Sequence, residues 1–403
     1  MYIIKKKYKK TLIFWCVIFF FSCTNKPEDK ETSPIFIDNT SIAKYADISP
    51  SIDHVDIIPL METKGNYLVD IYKVFEIDNK IIAFDFINAK KINLYDQNGQ
   101  FIKCIIQTGE GKNDAFQIND CWINNKNELE VYDFARKKIL IFDNSFSLKK
   151  TLDYKHGVIF NNVSSVPNSD QYIGFVNYTT NNPNWKGNNF QLAFLDSGFN
   201  ITNTEFNYDK IYRGVHWLTF PNQFHLYKDS LRFNRVYDNN VYTIRNNSIK
   251  PRFKIVFKNN STPENILDIE VKDHLKEFKN PRLLSSVHKN YLQKYSTLYG
   301  TWLENESSIY FNVLDTNRHQ YICMTNKKKG NAIEYIAENL TAQSKYHMIL
   351  PLFQYYSAQN NEFISTMNGQ DLKTLISKES TFYNKVVDDP AKLYIIKLTP
   401  KRK

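Results

Sequence analysis

Four residues suited to holding a polar ligand fall within one short segment, RGVHWLTFPNQFH: Arg213, His216, Trp217 and His225. Trp supplies a stacking face, while Arg and His supply charged donors, so the set could form a ligand-facing cluster. The same side chains would also serve as filling between packed repeats, and both readings stay open. His216 and His225 are the only close pair among eight scattered histidines.

A second set is acidic. Asp85, Asp96, Asp133, Asp143 and Asp196 each close a short apolar run. Carboxylates in number invite a metal-site reading, but their regular placement favours another role. An Asp at the same point of every repeat accepts backbone N–H groups of the turn that follows. The chain has no GxSxG, HExxH, Walker A or CxxC, hence no motif for acyl transfer, zinc hydrolysis, phosphate cradling or dithiol chemistry. Gly109-Glu110-Gly111 is too short to hold a phosphate and reads as a connecting turn. No catalytic residue, metal site or cofactor is assigned.

The elements that must position these residues repeat. The phrase KIIAFDFINAKKINLYDQNGQFIKCI returns as ELEVYDFARKKILIFDNSFSLKKTL, with Asp85 and Asp133 offset by 48 residues and Asp96 and Asp143 by 47. Short alternating runs between turn residues are the signature of antiparallel strands. The first unit predicts strands near 74–77, 81–85, 92–96 and 101–106, with Gly99 free to take positive φ in the turn after Asp96. The second predicts 121–123, 129–133, 139–143 and 148–152.

Weaker units follow at 172–176, 191–196 and 201–206, then at 231–233, 240–244 and 252–257, then at 308–313 and 320–324. A last unit combines 363–367 and 393–398 with an N-terminal strand around 55–60. Four strands in 40 to 50 residues is how a propeller blade looks in sequence. The expected fold is all-β: a six-bladed β-propeller of four-stranded antiparallel blades, spanning 51–400 and closed by strands from both chain ends, which removes exposed sheet edges. Apolar residues at helical spacing after Pro263 and Pro281 predict a small helical insertion, 261–296, between blades four and five. The 29 Phe and 26 Tyr among 403 residues suit such half-buried pleated surfaces.

The N-terminus reads as an export signal over 1–22: Lys5, Lys6, Lys7, Lys9 and Lys10 precede an apolar stretch from Leu12 to Phe21, then Ser22 and Cys23. That stretch is too short for a permanent membrane span. Ser22-Cys23 at its end resembles the lipobox of bacterial lipoproteins, with Phe20 where Leu is usual, and implies lipidation of Cys23. Residues 23–50 would then be a polar tether and entry segment. Removing 1–22 takes five Lys and no acid from the formal +10, and the remainder is dispersed, so no nucleic-acid face is indicated. Cys104, Cys121 and Cys323 show neither zinc spacing nor a disulfide framework, and pairing of Cys104 with Cys121 stays open.

Taken in order, the lipobox-like start, the paired Asp-closed blades, VYDNNVYTIRNNSIKPRFKIVF from Val236 to Phe257 and the closing DDPAKLYIIKL resemble the six-bladed β-propeller lipoproteins of the Bacteroidota type, relatives of NHL-repeat propellers. The segment Gly109 to Asp114 departs from that family's Gly-x-Gly-Pro-Gly-Glu loop by lacking the Pro. The resemblance implies a protein tethered by lipid to the bacterial outer membrane, on its periplasmic face or the cell surface. The expected role is a binding or scaffolding module for a glycan, peptide or protein partner. Two alternatives remain: a lactonase-like or lyase-like enzyme with its site in the central channel, and an accessory subunit of an outer-membrane uptake complex.

Overall fold

The computed structural model describes residues 32–111, 114–176, 189–208, 222–235, 238–263 and 293–401, with scattered residues from 266 to 276. The helical insertion lies largely outside that set. Its described members, Ile266, Ile269, Val271, Lys272, Asp273 and Lys276 among them, are helical where the spacing predicts. Cys23 and the signal also lie outside the described residues.

Strands β1 (Ser33–Ile37), β2 (Ala43–Asp47) and β3 (Ile52–Pro59) come first. Blade one is β4 (Lys73–Ile77), β5 (Lys80–Asp85), β6 (Lys91–Asp96) and β7 (Phe101–Gln107). Blade two is β8 (Ile118–Ile123), β9 (Leu129–Asp133), β10 (Lys138–Phe142) and β11 (Leu148–Asp153). Blade three is β12 (Asn162–Ser165), β13 (Tyr172–Phe175), β14 (Leu192–Leu195) and β15 (Ile201–Glu205). Blade four is β16 (Phe224–Tyr227), β17 (Ser230–Asn234), β18 (Asn240–Arg245) and β19 (Ser248–Phe257). Blade five is β20 (Thr297–Glu304), β21 (Ser308–Leu314), β22 (Gln320–Asn326) and β23 (Ala332–Thr341). Blade six is β24 (Tyr355–Ser357), β25 (Glu362–Asn368) and β26 (Leu393–Pro400), completed by β3.

The fold is thus the six-bladed propeller that the repeats predict. Closure is antiparallel, with Val55 opposite Leu398 and Ile57 opposite Ile396. Two strands go beyond the expected four per blade. β1 pairs in parallel with β19, and β2 with β23, so that the entry segment covers the outer edges of blades four and five. Capping an open strand in this way removes unpaired N–H and C=O groups.

The core consists of wedges, one between each pair of neighbouring blades. Ile82 and Phe84 join Val131 and Leu140 at the interface of blades one and two, while Ile81 and Ala83 turn the other way, toward Ile364 and Ile395 of blade six. Because both faces of a middle strand are covered, β5 and β9 are almost wholly buried. The outermost β11 is mostly exposed and accordingly carries Lys149, Lys150 and Thr151. Gly99 sits at φ +79° in the β6–β7 turn, where a Cβ would lie 2.1 Å from the Pro59 carbonyl oxygen, so only glycine fits.

The aspartates serve the backbone in two ways. Asp96, Asp143 and Asp196 cap the hairpin that follows, accepting the N–H groups of Asn98 and Gln100, Ser145 and Ser147, and Gly198 and Asn200. Asp85 and Asp133 are fully buried and reach farther. Asp85 accepts the N–H groups of Val69, Asp70 and Asn88, and Asp133 those of Phe116, Gln117 and Arg136, so each pins the incoming connection to its blade. The Gly109 turn joins blades one and two, with the Gly109 N–H donated to the Ala115 carbonyl. Cys104, Cys121 and Cys323 are free thiols.

Candidate functional site in the central channel

One innermost strand from each blade (β4, β8, β12, β16, β20 and β24) borders a central cavity of about 460 Å³. Where these strands begin, Asn222 Nδ2 donates to the Gln354 carbonyl at 3.1 Å, tying blade four to blade six across the intervening blade. The hairpins at their far ends bring Asn124, Pro167, Asn168, Lys228 and Gln359 to the cavity wall.

Buried charged residues lock neighbouring blades. Lys73 Nζ of blade one lies 2.5 Å from Asp120 Oδ1 of blade two, both side chains being buried. Asp120 also accepts the N–H groups of Cys121 at 2.8 Å and Val163 at 2.7 Å, so it holds blade three as well. Between blades four and five, Glu304 takes Arg232 Nε at 2.5 Å and Lys327 Nζ at 2.6 Å. Between blades six and one, Lys397 bonds Glu76 and stands 3.5 Å from Glu362.

Several buried polar atoms of the cavity wall have no hydrogen-bond partner among the described residues: Glu76 Oε2, Ser165 Oγ, Gln223 Oε1, His225 Nε2 and Ser357 Oγ. Such atoms are uncommon in native proteins, because each forfeits water without compensation. Others lie between the blades, among them Asn93 Oδ1, Glu130 Oε2 and Asn312 Oδ1, but those of the channel face one shared space.

Of the sequence-predicted cluster, His225 is placed on β16, buried, in the cavity wall. Arg213, His216 and Trp217 lie outside the described residues. Lys73, Glu76, Asp120 and Gln223 were not picked out in sequence. The one available signal was polar side chains inside otherwise apolar strands, KVFEI and INDCWI. The metal-dependent form of the enzyme alternative needs at least three inward carboxylates or imidazoles in ligand reach. Among the described residues no three His, Cys, Asp or Glu groups stand close enough to hold a metal ion.

Burial pulls the His225 imidazole down to about 3, reinforced by the Lys73 charge across the axis and opposed by a hydrogen bond to the Asn222 backbone. Burial likewise lowers His156 to about 4. Both are neutral in the folded chain at neutral pH, whereas an unfolded imidazole titrates near 6.5. Below about 6.5 the unfolded state therefore binds more protons, and the stabilisation present above that pH is lost as pH falls toward the folded values. For His225 the loss amounts to about 3 kcal/mol on going to pH 4. Urea unfolding at pH 7 and pH 4 should show it, and the drop should be smaller in His225→Gln. Identical acid dependence of the two chains would refute the assignment.

A family model described as Domain of unknown function (DUF4934) matches residues 34–399. The chain belongs to this family. The DUF4934 match thus takes in the entry strands as well as all six blades. Among solved structures, an exported protein from Bacteroides fragilis is 13% identical over 92% of this chain and 100% of its own, with a TM-score of 0.70. At that identity the likeness to this DUF4934 chain is one of fold. A Bacteroides vulgatus member of the DUF4221 family is 10% identical over 87% of this chain and 98% of its own, with a TM-score of 0.47. No curated protein matches the sequence.

Proposed function

We propose that this protein is an extracytoplasmic binding module, an NHL-like propeller held at the outer membrane by a lipid on Cys23, whose central channel takes a small polar ligand such as a glycan or peptide segment. The observation that carries the binding role is the set of buried, unpartnered polar atoms on the cavity wall, drawn from blades one, three, four and six. Tyr355, Phe75 and Phe224 of the same wall add apolar faces, the mixture of few polar anchors and aromatic surface that ligand pockets use. The lipid anchor is supported by the five lysines, the apolar stretch and Ser22-Cys23.

A panel of oligosaccharides and short peptides, screened by thermal shift on the full chain, tests the binding role. A ligand at one hundred times its Kd stabilises the folded state by about 2.7 kcal/mol, and the shift should vanish in Gln223→Leu. Absence of any shift across the panel, or one that survives Gln223→Leu, argues against the channel. For the anchor, Cys23→Ala should move the protein from washed membranes into the soluble fraction; retention on membranes contradicts it.

A further inference from the structure

We infer that the ligand of the channel carries a primary ammonium group, seated on Glu76, beside further hydrogen-bond donors that meet Gln223 and His225. This rests on the channel being a ligand site, as proposed above. The argument is one of charge balance along the cavity wall. Glu304 has both carboxylate oxygens occupied, by Arg232 and Lys327. Lys73 is neutralised by Asp120. At the mouth, Lys228 stands 3.3 Å from Glu306, and Arg245 pairs with Asp229.

The Glu304 set thus has two cations on one carboxylate, whereas the wall between blades six and one has the opposite excess. There Glu76 and Glu362 share the single ammonium of Lys397, all three side chains being at most 15% exposed. Two buried carboxylates on one cation leave a negative charge uncompensated, an expensive arrangement away from water. Desolvation pushes the Glu362 carboxyl upward even with Lys397 beside it, and the Glu76 charge pushes the same way. Glu76 lines the cavity, and its buried Oε2 has no partner among the described residues.

Two further unpartnered atoms are acceptors, supplied by blade four. Gln223 Nε2 donates to the Asn234 carbonyl at 2.7 Å, which leaves Oε1 as the free end of the amide. His225 Nε2 is likewise without a partner among the described residues, and the neutral ring can present its lone pair there. Neutral hydroxyls would satisfy these acceptors but not the charge; an ammonium satisfies the charge too. Amino sugars and the free amino terminus of a peptide both offer this combination.

The test is isothermal titration of the full-length Cys23→Ala chain with four probes: glucosamine, N-acetylglucosamine, triglycine and N-acetyl-triglycine. At least one free amine should bind tenfold or more tightly than its acetylated counterpart, and which one does so identifies the source. Glu76→Gln should erase that preference by weakening binding of the free amine at least tenfold. Should that variant fail to fold, Glu362→Gln removes the same excess charge from behind Glu76 and should reduce the preference in the same sense. Equal binding of free and acetylated forms, or a preference unmoved by the variants, overturns the ammonium inference and leaves the channel as a binding site. No heat from any of the four overturns the inference together with the binding role.

Discussion

Asp120→Ala should cost about 3–5 kcal/mol, because it strands the buried Lys73 ammonium without its counter-charge. The same change leaves the N–H groups of Cys121 and Val163 without their acceptor, and an unmet buried donor adds about 1–3 kcal/mol. Domains of this kind are stable by only about 5–15 kcal/mol, so the variant should sit at the edge of folding, with its urea midpoint sharply lowered. The paired replacement Lys73→Met with Asp120→Leu removes both charges and should recover much of the loss, since apolar substitutes for buried ion pairs are often neutral. A single variant that keeps the parental midpoint would show that the pair does not bear on stability, and the three-blade junction around Asp120 would fall with it.

A chain ending before Leu393 should not fold at all. β26 lies between β25 and β3, and Leu393, Tyr394, Ile395, Ile396 and Leu398 are all buried. Losing a large core side chain typically costs about 2–5 kcal/mol, so five of them exceed the entire stability of an ordinary domain. β3 would also lose its pairing partner, opening the ring at blade six. Circular dichroism should report a chain without a cooperative melt, and limited proteolysis should digest it throughout. A truncated protein that melts cooperatively near the parental temperature would mean that closure by the two chain ends does not hold the ring.

The strands that could be read in sequence share a physical cause. In β5, β9 and β10 both faces are covered by neighbouring blades, so the segments are near-continuous apolar runs that stand out from the turns beside them. The innermost strands of blades three to six were not legible. β12, β16 and β24 have four, four and three residues, and bordering the cavity gives them mixed polarity, as in NVSS and FHLY. β20 is longer, but its pairing with β21 is interrupted between Leu298 and Trp302, with Gly300 at φ +81°. β1 and β2 were also missed, since an outer parallel strand needs a partner some 200 or more residues away and leaves no local mark.

By itself the sequence determined what is decided within about fifty residues: that Asp-closed apolar runs form hairpins, that four such strands make a unit, and that the units repeat. Turn capping by Asp96, Asp143 and Asp196 is of this kind, because donor and acceptor are two to four residues apart. The channel was decided only in three dimensions. Glu76 meets Lys397 across 321 residues of chain, and His225 feels Lys73 from the opposite side of the ring. Charges so far apart in sequence acquire each other's fields only when closure excludes water and brings six inner strands around one axis, and no pattern of neighbouring residues encodes that encounter.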